Sequence, residues 1–550
     1  MNLRLALLAS ALPAALLAQK PAAGKLPAAY SVITEADLKR DLYTLGGDAM
    51  RGRRAGTPDE LRASMWIADQ MRKIGLEPMG DDSTYFQWWN LRRTRISSLS
   101  AVRVGDKSFT MWTDVAATGN GDAEASGMTV WAGDGSDTTI DVRGKVAVVQ
   151  ITRQPPANPG RIITSPEYLY ANRAISVLGG ALSQRGAAAV ILVADDSTEM
   201  GFPGVVSNRS WGQYAVDGLN TGRGGARGGG DQTRPTGTGA ACGGPALTAD
   251  EIAAGGRGGR GGAGAAGAGG RGGAGGRGGF GGGGVPVILM HKQFLNDVRA
   301  NGLAVNIRIF RETFTYPSMN IVGRIRGTDP QLRDEYVEFS SHQDHDGVMY
   351  PINGDSIWNG ADDNGSVSVA LLAAARAMAK QPPRRSVLFI YHGAEERGLL
   401  GSRYEVAHPV VPLKQIVAVL NGDMIGRNSP DSASIMGVQP PHMNSRDLVA
   451  FALQANDLTG KFKLDSIWDR PTHPEGWYRR SDHLPYAESC VPVIDYSSNL
   501  HPDYHTPRDE PSRIDYGKLT RISQWMYLTG WFVANADKRP ALEQKYDVRR

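Results

Sequence analysis

The sequence predicts an α/β fold, a mixed, mostly parallel sheet flanked by helices, with an inserted β-rich domain. Three observations carry that prediction. From Thr313 onward, apolar strand-like runs alternate with helical ones, as in a parallel sheet whose crossovers are helices. Before that, over residues 97–312, the pattern is short apolar runs separated by Gly/Asp turns. Ahead of both lie two helical repeats between Ile33 and Pro78. We therefore divide the chain into one α/β domain made of 30–96 and 313–540, and an insert at 97–312. A chain of 550 residues is long enough for more than one hydrophobic core.

In chain order, residues 1–18, MNLRLALLASALPAALLA, place one Arg before an apolar run too short to span a bilayer. Polar Gln19-Lys20-Pro21 follows, and the stretch reads as a secretory signal removed near Ala18. The expected location is secreted or periplasmic, with no membrane attachment after signal removal. In TEADLKRDLYTL, Thr34 is a helix cap with Asp37 three residues on; DELRASMWIADQMRKIG repeats the helical spacing and stops at Gly75. The strands expected in the insert are VRVGDKSFTMW, GMTVWAG, GKVAVVQI, AAAVILVAD and VPVILM. After Thr313 they are MNIVGRI, EYVEFSS, SVLFIYH, IVAVLNGDM and VPVIDYS. Between them lie the helical SVSVALLAAARAMAK and RDLVAFALQAND, and the last helix is LTRISQWMYLTGWFVANA.

Residues 221–284 are a Gly/Arg-rich tract holding 30 of the 69 glycines, too poor in apolar surface to offset its ordering entropy, and disorder is expected there. The tract carries seven Arg against three acids, which accounts for the whole formal net charge of +4. The remainder is neutral, so the charge does not point to an acidic partner. Arg/Gly repeats can bind single-stranded nucleic acid, and interleaved aromatic residues would strengthen that reading, but Phe280 is the lone aromatic here, and no nucleic-acid partner is expected. The two cysteines are Cys242, inside this tract, and Cys490, just before an apolar strand. Pairing them would tie a floppy loop to a core strand, so they are expected to stay apart. Neither has a Cys or His neighbour at zinc-ligand spacing.

The chemistry concentrates in Phe339–Gly365. An alternating strand runs into His342, Asp344, His345 and Asp346, and Asp362-Asp363 precedes an Ala/Leu-rich helix. Imidazole and carboxylate are the ligands a borderline metal such as zinc takes. Other strands of the same domain end in similar groups: Glu395-Glu396 after SVLFIYHGA, Asp423 after IVAVLNG, and His505 beyond VPVIDYS. In open α/β sheets ligands bind outside the carboxyl ends of the strands, so these residues are expected on one rim.

The phrases SHQDHDG, GADDNGS, GAEERGLLGS, NGDMIGR and YHTPRDEPSRIDY, in that order, resemble the zinc-dependent aminopeptidase family M28. RGKVAVVQ, QRGAAAVILVAD and VPVILM in the insert are similar to the protease-associated domain found in many of those enzymes. The resemblance implies a zinc-exopeptidase type of sheet and two zinc ions. His342 and Asp423 would hold one ion, Glu396 and His505 the other, and Asp363 would bridge them; Asp362 is the alternative bridge. Glu395 would be the general base for the attacking water. Asp344 would support His342 through the far ring nitrogen. Tyr504 would support the oxyanion. His345, His392, His473, His483 and His501 are expected around the site or in loops, not as ligands.

Peptides are the implied substrates, and aminopeptidase activity the implied function. A carboxypeptidase or dipeptidase could use the same zinc site, given an Arg for the terminal carboxylate; Arg479 and Arg480 are the candidates by position. A non-catalytic binding protein that works through the insert is the other alternative.

Overall fold

The computed structural model describes residues 26–118, 121–152, 166–217, 219, 242 and 285–549. The expected signal at 1–18 and, apart from Cys242, the tract at 221–284 lie outside them.

Four parallel strands form the centre, in the spatial order Val493–Ser497, Ile416–Gly422, Tyr336–His342 and Ser386–His392. Every residue of the four is buried. They read as continuous apolar runs because a parallel sheet has both faces covered. Successive residues pack into different cores: Val387, Phe389 and Tyr391 on one face, Leu388 and Ile390 on the other. The first face is covered by the helices Glu35–Leu45, Pro58–Ile74, Val367–Lys380, Arg446–Leu458 and Tyr516–Asn535. Leu400–Ala407 and His483–Glu488 cover the second. Thr34 caps the first of these helices by accepting the N–H of Asp37, and Gly75 closes the second in a left-handed conformation.

The sheet turns antiparallel at its margins, which makes it mixed. Ser432–Met436 runs against Val493–Ser497 on one side. On the other side Arg311–Ile325 pairs with Ser386–His392, then Phe86–Ile96, then Gln213–Val216. The strand Phe86–Ile96 was not expected, because FQWWNLRRTRI carries charges on its exposed positions and lacks a continuous apolar run. Its burial nevertheless alternates through Trp89 and Leu91.

A second sheet of eight strands is built from residues between Ala101 and Ile309. It also carries two helices, Pro166–Gln184 and Asp196–Trp211, whose Ala171, Ala174, Leu182, Phe202 and Val205 pack on Ala147, Val149, Val190 and Leu192. The segment 97–312 is therefore not confined to its own sheet: Gln213–Val216 is an edge strand of the central one.

The expectation that Cys242 and Cys490 stay apart is overturned. They form a disulfide with a Cα–Cα distance of 5.9 Å. The Tyr546 hydroxyl donates to Cys242 Sγ at 2.9 Å, and Cys242 packs against the core on the second face. Position within a Gly-rich tract does not determine where in space that part of the chain is held.

Candidate metal centre

The parallel centre puts the ends of its strands on one rim, and the loops leaving that rim carry the charged residues. His342 is the last residue of its strand, Glu395 and Glu396 lie three and four residues beyond His392, and Asp423 directly follows Gly422. Asp363 comes in on the turn before Val367–Lys380. That turn starts at Gly360, whose φ is +63°, and a Cβ there would sit 2.2 Å from the Asp363 carbonyl oxygen and 2.3 Å from His345 Cγ. Only glycine lets the two loops close so tightly.

Two donor groups result. In the first, His342 Nε2 lies 3.2 Å from Asp363 Oδ1 and 3.7 Å from Asp423 Oδ1. In the second, His505 Nε2 lies 3.2 Å from Asp363 Oδ2 and 3.3 Å from Glu396 Oε2, and His345 Nδ1 lies 2.9 Å from Glu396 Oε1. The ligand atoms within each group are all within 4.8 Å of one another, and Asp363 contributes to both. His342 Nε2, Asp423 Oδ1 and His505 Nε2 are buried with no hydrogen bond of good geometry, and His345 Nδ1 and Glu396 Oε1 face each other at 2.9 Å without one. Buried polar atoms left unpaired cost free energy, and cations between these groups would satisfy them. The donor set, imidazole nitrogen and carboxylate oxygen, suits zinc.

The carboxylates around the rim divide by environment. Burial pushes the Glu395 carboxyl well above its ordinary range; His342 opposes this, while Glu396, Asp482 and Asp423 reinforce it. Glu396 is equally buried, yet His505 and His345 hold its carboxyl well below the usual range. Burial raises Asp344 to about 6 and Asp482 to about 7. Glu395 belongs to neither donor group; its Oε2 lies 4.0 Å from His342 Nε2.

The structure thus brings together His342, Asp363, Glu396, Asp423 and His505, with Glu395 beside them. Asp362 faces away, accepting the N–H of Gly426 at 2.6 Å and lying 3.4 Å from His501 Nε2. The support expected for His342 has a different form. Its Nδ1 meets the backbone carbonyl of Asp344 at 3.0 Å, while the carboxylate, 3.9 Å away, accepts the N–H of Glu395. The Tyr504 hydroxyl accepts from Arg480 at 2.9 Å, and its ring centroid lies 4.0 Å from that of His505. Of the histidines expected outside the donor set, His345 joins the second group. His392 is fully buried and pushed down to about 3 by burial and by His342.

Three further residues shape the site. Asp346 Oδ2 lies 2.8 Å from His505 Nδ1, which aims Nε2 at the donor group. Asp509 accepts the N–H groups of Asp362 and Asp363 at 3.0 Å. Arg53 is buried and spends its guanidinium on the carbonyls of Leu45, Gln343, Asn359 and Gly360. Asp346 lies within SHQDHDG and was within reach of sequence reasoning. Arg53 was not, because nothing in MRGRRAG indicates a buried guanidinium.

Residues 320–529 match the family model described as Peptidase family M28. The chain is 26% identical over 193 residues to aminopeptidase YwaD of Bacillus subtilis strain 168, an alignment covering 34% of this chain and 40% of that protein. It is 42% identical over 144 residues to leupeptin-inactivating enzyme 1 of Streptomyces exfoliatus, covering 25% of this chain and 30% of that one. The chain thus matches less than half the length of these curated relatives. Its fold is similar to that of BSAP, a zinc aminopeptidase from Bacillus subtilis, with a TM-score of 0.51, 17% identity, and coverage of 94% of this chain and 99% of that one.

Proposed function

We propose, from the premise that the chain belongs to peptidase family M28 through residues 320–529, that it is a zinc-dependent exopeptidase removing N-terminal residues from peptides. The observation that carries this reading is Asp363, shared between two donor groups, with Glu395, which joins neither of them, at their edge. Two zinc ions held there, by His342 and Asp423 on one side and Glu396 and His505 on the other, would polarise a peptide carbonyl and lower the pKa of water towards about 7.

The chain's own residues do the rest. Asp363 presents one oxygen to each group, a position from which it would screen two like charges from each other. Glu395 takes the proton of the attacking water and returns it to the leaving amine. A base must stand near the ligands without joining them, and Glu395 does so. The Asp344 carboxylate fixes the backbone of Glu395. The Tyr504 hydroxyl, held by Arg480, donates to the oxyanion as it develops.

The carboxypeptidase alternative needs a guanidinium for the terminal carboxylate. Arg480 is already engaged by Glu475 at 3.0 Å and by Tyr504, which favours the aminopeptidase reading. We read the eight-stranded sheet as a domain of protease-associated type. We also propose export, to the periplasm or outside the cell; the Cys242–Cys490 disulfide fits an oxidising compartment. Among the described residues no helix is long and apolar enough to cross a membrane.

The test is hydrolysis of matched peptides with free and acetylated N-termini, by protein stripped of metal and then given zinc. Cleavage of the free peptides alone, restored by zinc, is the expected result. Equal cleavage of both would remove the aminopeptidase assignment, and activity without metal would remove the zinc one.

A further inference from the structure

Among the described residues, the segment 97–312 meets the central sheet at the end of the helix Asp196–Trp211 and in the edge strand Gln213–Val216. Val216 packs into a small core with Ala394 and Leu400, the residues flanking the Glu395–Arg397 turn. Two aromatic side chains from this return meet two arginines of the site. The Arg54 guanidinium lies over the Trp211 ring at 3.0 Å from its centroid, and Arg397 lies 5.7 Å from the centroid of Tyr214. Trp211 is held in turn by Arg93, which donates to its carbonyl at 2.6 Å and stands 4.4 Å from its ring.

Both arginines end on Asp346. Arg397 donates to Asp346 Oδ1 at 2.9 Å, and Arg54 donates to the Asp346 carbonyl at 3.1 Å. The other carboxylate oxygen, Oδ2, is the one beside His505 Nδ1. Arg54 is 3% exposed and Asp346 6%, so water does little to screen or replace these contacts. The path runs from Trp211 and Tyr214, through Arg54 and Arg397, to Asp346 and His505. Among the described contacts, the ring contacts and hydrogen bonds of Trp211 and Tyr214 join neither of them directly to His342 or Asp423.

We infer that Trp211 and Tyr214 are positioning residues for the second donor group: by stacking on Arg54 and Arg397 they hold Asp346, and Asp346 sets the ring of His505. The inserted segment is then a working part of one half of the metal centre. A guanidinium confined against an aromatic face keeps its plane, and a planar fork gives its hydrogen bonds a direction that a free side chain lacks. The inference rests on the two-zinc reading above.

The test measures zinc release into a competing chelator, separately from turnover. Wild-type protein should hold two ions. Trp211→Ala should lose one ion about 10-fold faster or more, the size expected for a residue behind a ligand, with the other ion unaffected. Trp211→Phe, which keeps a ring under Arg54, should restore most of the difference. Adding Trp211→Ala to Asp346→Asn should cause little further loss, since both act through His505. If Trp211→Ala does not fold, Tyr214→Leu and Arg54→Lys carry the same expectation. Parallel loss of both ions, unchanged release of both, or additive effects with Asp346→Asn would each overturn the inference while leaving the zinc reading intact. A wild-type chain without zinc would remove both.

Discussion

The Asp344 carboxylate accepts the backbone N–H of Glu395 at 3.0 Å, while the backbone carbonyl of the same Asp344 faces His342 Nδ1 at 3.0 Å. One residue therefore orients the ring of His342, in the first donor group, and the backbone of Glu395, to which the proposed mechanism gives the role of base. The two functions it joins are separable by substitution. Glu395→Gln keeps shape and removes the proton acceptor. It should retain both zinc ions and bind peptide, with turnover reduced about 10²–10⁴-fold and a much smaller change in KM. Glu396→Gln should instead weaken zinc binding, because Glu396 lies 3.3 Å from His505 Nε2 and 2.9 Å from His345 Nδ1. Metal content measured beside kcat distinguishes them; zinc loss in Glu395→Gln alone would swap the two roles.

Asp363 differs from every other donor in belonging to both groups. Asp363→Ala should lower zinc content by more than Asp423→Ala or His505→Ala, each of which belongs to one group. Quantifying zinc per chain after dialysis at fixed free metal makes the comparison. Equal losses from all three would mean that the groups bind independently of a bridge.

Most of these residues were legible in the sequence because they follow a strand, and Asp363 because it precedes an Ala/Leu-rich helix. An apolar run ending in His342, or in Gly422 with Asp423 next, states both that it is a buried strand and that a charged group waits at its end. His345 was less legible: it follows Asp344 directly, and only the fold of the Gly347–Trp358 stretch and the Gly360 turn decides that its ring meets Glu396. Asp196–Trp211 was missed for a local reason. DSTEMGFPGVVSNRSW contains Pro203 and two glycines and has no apolar stripe, so its helix depends on packing Phe202 and Val205 against the second sheet. The disulfide was missed for a tertiary one, since a separation of 248 residues carries no pairing information.

That separation makes the disulfide a stabilising link. Cross-linking residues so far apart removes many conformations of the unfolded chain, and losing such a bond typically costs about 2–5 kcal/mol. Cys490→Ser should lower the melting temperature by several degrees and make it insensitive to reductant, whereas the wild-type protein should become less stable when reduced. Zinc content should be unchanged, because Cys490 belongs to neither donor group. Identical melting of wild-type protein with and without reductant would show that the bond is not formed in solution.

Glu60 provides a pH-dependent term. It sits in the first turn of Pro58–Ile74, 1% exposed, accepting the N–H of Gly56 at 2.6 Å and the hydroxyl of Ser318 at 2.8 Å. Both contacts favour the carboxylate, but burial and the nearby Asp344 outweigh them and raise the group to about 8. In the unfolded chain a glutamate releases its proton near pH 4.3. Between those values the folded protein keeps a proton that the unfolded chain has lost, so folding stability from this group falls as pH rises. The contribution is complete below the unfolded value and gone above about 8, and its size is on the order of a few kcal/mol. Glu60→Gln removes the ionisation while keeping the shape: its amide oxygen can take the Gly56 N–H that Oε2 accepts, and its NH2 can donate to the Ser318 hydroxyl in place of Oε1. Denaturant midpoints measured from about pH 5 to pH 8.5 should therefore decline less steeply for the variant than for the wild-type protein, the two curves separating most at the alkaline end. Curves that stay parallel across that window would mean that Glu60 is already ionised in the folded protein, with Gly56 and Ser318 sufficient to hold the charge.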